Sequence, residues 1–78
     1  MTSTNVLLST PEKAISFVQT LCKFNCNFDL EGGRCCVDGK SIIGVMSLGC
    51  KDKLKLSIYS EGELANRVME SIQKFVVA

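Results

Sequence analysis

Two segments of this chain carry an apolar stripe of helical period, and the segments around them do not. Ala14, Ile15, Val18, Leu21 and Cys22 form the first stripe; Leu64, Val68, Ile72, Phe75 and Val76 form the second, widened by Ala65 and Met69. A helix with one apolar face has to bury it. In a chain of 78 residues the only other element with enough apolar area is a sheet. Leu54, Leu56 and Ile58 alternate with Lys55, Ser57 and Tyr59, which is the pattern of a strand buried on one face. The pattern therefore predicts a two-layer α+β domain spanning residues 1–78.

Local signals set the boundaries. Ser3–Leu8 is prone to extended structure. The run Ser9-Thr10-Pro11-Glu12 opens a helix over Pro11–Cys22: either Thr10 caps it with Pro11 in the first turn, or Ser9 and Glu12 form a capping box. Cys26–Leu30 and Arg34–Val37 read as a hairpin around Glu31-Gly32-Gly33, ended by Asp38-Gly39. Ser41–Leu48 is short and apolar; Ser41 suits an N-cap and Gly49 a stop, while propensity alone would equally allow a strand. The last segment, Glu61–Val77, reads as one long helix, with Glu63–Arg67 and Glu70–Lys74 as acid-before-base pairs four apart. The order is β-α-β-β-α-β-α, four antiparallel strands with three helices on one face. Leu21, Leu30, Val45, Leu48, Leu56, Ile58, Leu64, Val68 and Ile72 are the expected core.

Composition removes several function classes. No apolar run reaches the roughly 18 residues of a membrane span, and Met1-Thr2-Ser3-Thr4-Asn5 has no signal-peptide character, so a cytoplasmic location is expected. Net charge is +1 with the charges interspersed, which gives no phosphate-tracking stripe and no expectation of nucleic acid or membrane as partner. There is no histidine, and no nucleophile–base constellation that would name a catalytic residue. The five cysteines, Cys22, Cys26, Cys35, Cys36 and Cys50, are an odd number, and only Cys22 and Cys26 loosely fit knuckle spacing. They read as small buried hydrophobes. A cysteine-based metal or thiol-redox carrier is the alternative class; otherwise no cofactor and no metal are expected.

One segment is more specific. Lys40-Ser41-Ile42-Ile43-Gly44-Val45-Met46-Ser47-Leu48-Gly49 is similar to the regulatory-serine segment of HPr, the histidine-containing phosphocarrier of the sugar phosphotransferase system, as found in low-GC Gram-positive bacteria. Val18-Gln19-Thr20 resembles the middle of that family's first helix, and Asn27-Phe28-Asp29-Leu30-Glu31 followed by Gly39-Lys40-Ser41 matches its second strand and hairpin in spacing. The resemblance runs from Ala14 onward. It implies the HPr-like open-faced sandwich, with sheet order 1-4-2-3.

The resemblance also implies a departure. Counted back from Val18-Gln19-Thr20, the family's phosphohistidine falls on Thr10, its Arg on Glu12 and its Pro on Lys13, with Pro11 between. Only an imidazole nitrogen forms the readily transferred phosphoramidate, so this member is expected not to relay phosphate. Ahead of Pro11 there is too little chain for a full first strand and the usual active-site loop. Ser41 takes the place of the serine phosphorylated by an ATP-dependent kinase in Gram-positive relatives, and a plain helix cap is its other role. Ile42, Ile43 and Met46 match an exposed docking patch, to which Pro11 and Glu12 would add; from the residues alone they would more often be core. The resemblance thus points to a regulatory, protein-binding module, like the catabolite-repression paralogues that lack the His and keep the serine. Its partners would be proteins such as HPr kinase or a transcriptional regulator. Lys40 is the expected cation beside Ser41, and Asp52 and Glu12 the expected opposing charges.

Overall fold

The computed structural model describes residues 1–78. Its elements run β1 (Thr2–Val6), α1 (Pro11–Leu21), β2 (Phe28–Gly32), β3 (Cys35–Asp38), α2 (Ile42–Ser47), β4 (Leu54–Ile58), α3 (Gly62–Ser71), a 3-10 turn (Gln73–Phe75) and β5 (Val76–Val77). The sheet is antiparallel throughout, in the order β3-β2-β4-β1-β5. The expected four-strand order stands, with a fifth strand added outside β1.

That fifth strand corrects the expectation of helix to Val77. Val76 and Val77 fit the apolar stripe, but both are β-branched, and the outer edge of β1 is free to receive them. The helix ends at Ser71, Phe75 turns inward, and Val76 and Val77 pair with Val6 and Asn5. The Leu7 N–H donates to the Phe75 carbonyl at 2.9 Å, which continues the join. Phe75 meets Phe17 of α1 edge-to-face, centroids 5.2 Å apart.

The core lies between the helices and one sheet face. Val6, Leu8, Phe17, Leu21, Phe28, Leu30, Val45, Leu56, Ile58, Val68 and Ile72 are among the side chains buried there. Of the expected core, Leu48 and Leu64 are only half-buried. The hairpin is tighter than expected: Gly32 pairs with Cys35, leaving Gly33-Arg34 as the turn, with Gly33 at φ 58° in the first central position, as a type II′ turn requires. The anticipated Glu63–Arg67 and Glu70–Lys74 pairs do not close to 4 Å; the one ion pair joins the N-terminal ammonium to Glu61 at 2.6 Å. No helix is long and apolar enough to cross a membrane.

Candidate functional site

Thr10 and Ser41 are both N-caps. The Thr10 hydroxyl accepts from the Lys13 N–H at 3.2 Å, with Pro11 in the first turn of α1, so the Thr10 cap forms rather than the Ser9–Glu12 box. Ser41 repeats this on α2, its hydroxyl accepting from the Gly44 N–H at 3.1 Å. Ser41–Leu48 is therefore helical and not a strand. A chain that caps a helix with an oxygen satisfies one of four free N–H groups and leaves the positive end of the dipole facing outward.

β1 is five residues long, and its connection to α1 is only Leu7 to Thr10. Closing so short a link puts Ser9 at φ 72°, the only non-glycine in the left-handed region, and its N–H donates to the Cys50 carbonyl at 2.7 Å. Around this end lie a cleft of about 140 Å³ lined by Leu7, Ser9, Lys13, Lys74 and Phe75, and a groove of about 430 Å³ lined by Ser9, Pro11, Gly49, Cys50, Lys51 and Asp52. Glu12 is exposed, but Lys13 and Lys74 bring positive charge that no sequence motif pointed to.

The two caps are not side by side. α2 lies against α1 with the order of its ends reversed: Leu21 reaches toward Gly39, the Cys22 thiol faces the Lys40 carbonyl at 3.9 Å, and Cys50 meets Ser9. Ser41 sits by the last turn of α1, and the stretch after α2 sits by Thr10. The six residues of α2 separate them, about 9 Å along its axis.

Two electrostatic expectations for Ser41 need correcting. The Lys40 ammonium donates to the Phe24 carbonyl at 2.8 Å and lies 5.7 Å from the Phe28 ring centroid, so it is already engaged. Asp52 lines the groove at the Thr10 end. The acid nearest Ser41 is Asp38: its carbonyl accepts the Ser41 N–H at 3.0 Å, and its carboxylate accepts the Lys40 N–H at 2.9 Å. A turn of this kind, Asp38-Gly39, was visible in the sequence; its closeness to Ser41 was not.

The side chains of Ile42, Ile43 and Met46 are exposed by 43%, 86% and 37%, whereas Val45 on the same helix is fully buried. A six-residue helix lying on one layer has only one inward face, and Val45 takes it. The core reading of these three side chains fails.

The cysteines also differ from expectation. All five are free; Cys22, Cys35 and Cys36 are exposed, while Cys26 and Cys50 are half-buried against the core, so the expectation of buried cysteines holds in part for these two alone. No three of the chain's Cys, Asp or Glu side chains come together as metal ligands would. On the open sheet face the Tyr59 hydroxyl donates to the Asp29 carboxylate at 2.5 Å, which raises the phenol above its ordinary value. The Cys36 thiol is likewise raised, first by partial desolvation and then by Asp29 and Glu31.

This open-faced sandwich has known relatives. The profile of the family described as the PTS HPr component phosphorylation site matches residues 12–78. The chain belongs to the HPr family. Its fold is similar to an HPr from Thermoanaerobacter tengcongensis, with TM-score 0.77 and 28% identity over 95% of this chain and 89% of that one. The phosphocarrier protein HPr from Bacillus anthracis gives TM-score 0.74 and 26% identity over 97% and 96%. Crh, the catabolite repression containing protein of Bacillus subtilis, described as a domain-swapped dimer, gives TM-score 0.61 and 28% identity over 96% and 88%.

Proposed function

We propose that this chain is a regulatory, protein-binding member of the HPr family that does not carry phosphate on histidine. Ser41 is its site of ATP-dependent phosphorylation, and Pro11, Glu12, Ile42, Ile43 and Met46 are its docking surface. The observation that carries the reading is the exposure of Ile42, Ile43 and Met46 on a helix whose N-cap hydroxyl is Ser41. Apolar side chains held in solvent lower solubility and are kept where a partner covers them. The sequence has no imidazole to receive a phosphoryl group, and Thr10, at the phosphohistidine position, would form an ester too stable to pass it on quickly. The name of Crh, a catabolite repression protein, favours regulation over transport as the role.

A phosphate on Ser41 would add about −1.5 to −2 charge at the start of α2. The free N–H groups and the dipole would favour it, and Asp38 would oppose it. Its partner would therefore be a protein with an apolar pocket and a cation beside it, such as the kinase itself or a transcriptional regulator. The test is incubation with ATP and a Gram-positive HPr kinase, followed by peptide mass mapping. An increment of about 80 Da on the Ser41 peptide supports the reading; its absence returns Ser41 to a plain cap. A parallel incubation with phosphoenolpyruvate and the first enzyme of the phosphotransferase system should give no acid-labile, base-stable label. Thr10→His alone should not restore one, because Glu12 remains and the link to β1 is short.

A further inference from the structure

The two edges of the sheet are finished differently. On one side β5 is only two residues long; on the other β3 presents Cys35-Cys36-Val37-Asp38 with nothing paired outside it. The register of β3 determines which of its backbone groups face outward. β2 and β3 pair as Asp29–Asp38, Leu30–Val37, Glu31–Cys36 and Gly32–Cys35, and the Gly39 N–H donates to the Phe28 carbonyl at 2.9 Å. Antiparallel pairs alternate between bonded and non-bonded. Phe28–Gly39 is bonded, so Leu30–Val37 and Gly32–Cys35 are too, and the N–H and C=O of Cys36 point away from the sheet.

We propose that β3 is a self-association edge, which pairs antiparallel with β3 of a second copy and places Cys36 opposite its own equivalent. Parity limits the choice of register, because an outward residue of one copy must face an outward residue of the other. Centring on Cys36 pairs Cys35 with Val37 on both sides; centring on Val37 gives an overlap of equal length, but it sets Asp38 against Cys36 and leaves Arg34 without a carboxylate opposite. The Cys36-centred register sets Arg34 of the turn beside Asp38 of the other copy, twice over. Arg34 is exposed and has no carboxylate within 4 Å in its own chain. The Asp38 carboxylate has one oxygen engaged by the Lys40 N–H and one left for a guanidinium. Facing each other through their outward N–H and C=O groups, the two Cys36 residues form a bonded pair about 5.5 Å apart at Cα, within the span a disulfide bridges. Two short strands bury little area, so the pairing is weak and reversible until it is trapped.

Oxidised glutathione supplies the trap. One Cys36 thiolate attacks it, forming a mixed disulfide and releasing one glutathione thiol. The facing Cys36 thiolate then attacks the protein sulfur and releases the second, so two thiols are oxidised as one disulfide is reduced. The acidic neighbours of Cys36 slow the first attack at neutral pH and favour a mildly alkaline buffer.

The experiment is incubation of the full chain with oxidised glutathione, non-reducing electrophoresis and peptide mapping. A Cys36–Cys36 linked dimer is expected, lost in Cys36→Ser and kept in Cys35→Ser. Arg34→Asp and Asp38→Arg should each slow its formation several-fold, and the double exchange should restore it, with circular dichroism confirming that each variant is folded. Cross-links led by the other exposed thiols, Cys22 and Cys35, would overturn the proposal. So would no cross-linked dimer, or a double exchange that stays as slow as the single ones.

Discussion

The starts of α1 and α2 use the same device and come to different ends. Each is a hydroxyl cap accepting from the N–H three residues on, at 3.2 Å for Thr10 and 3.1 Å for Ser41. Behind Thr10, α1 buries Ala14, Phe17, Val18 and Leu21; behind Ser41, α2 buries Val45 alone. The α1 cap is thus coupled to the whole core, while the α2 cap organises one short turn whose outward side is apolar. A cap fixes where a helix begins. The side chains of the next two turns decide whether that beginning serves the fold or the surface.

The sharpest way to break this contrast is to truncate one side chain from each helix. Phe17→Ala should cost about 3–5 kcal/mol of folding free energy, since it empties the contact with Phe75. Ile43→Ala should stay within about 0.5 kcal/mol. Denaturant melts of both would read the difference; a large loss at Ile43 would mean that the patch is packed after all.

Next in size is Gly39→Ala. A Cβ there would stand 2.8 Å from the Phe28 Cβ and 3.1 Å from a Leu21 methyl. The first neighbour cannot yield without moving the backbone of β2, so a loss of about 1–3 kcal/mol is expected, measured as a fall in melting temperature. Neutral behaviour would show that the turn before Ser41 has slack.

Removing the caps sharpens the comparison further. Thr10→Ala should lower global stability by about 1 kcal/mol, and Ser41→Ala should act locally, speeding amide exchange of Gly44 and Val45 more than that of α1. Equal global effects would erase the distinction between the two helix starts.

The smallest effect lies outside both. The single tyrosine donates to Asp29, so its phenol titrates above the ordinary value. The raised folded value makes this contribution fully present below the unfolded pKa and lost as pH rises through the folded one. A phenolate absorbance titration should therefore have a midpoint above that of free tyrosine, and Asp29→Asn should bring it down.

Much of this was legible in the residues. The alternation of Leu54, Leu56 and Ile58 fixed the face of β4, and Thr10-Pro11 and Ser41 marked both helix starts. Val76 and Val77 were not legible as strand, because they satisfy the helical stripe equally well; the free edge of β1 decides, and an edge is a property of the assembled sheet. Cys35 and Cys36 were misread as core because burial was assigned by residue type, whereas an edge strand leaves both exposed. Ser9 gives no sign of its positive φ, as glycine or asparagine would have done. Which end of α2 meets Thr10 depends on how the two helices cross, and no local pattern encodes that.

The position of β1 has a consequence for how the molecule is made. It lies between β4 and β5, both encoded far downstream. During synthesis, residues 2–6 leave the ribosome before the other four strands and have no pairing partner until residues 54–58 emerge. Loop closure over so long a separation is slow, and half-made intermediates keep the edges of that strand open. The first of the five strands to be synthesised is thus among the last to be secured, and the nascent chain depends on it staying unpaired with neighbours until then.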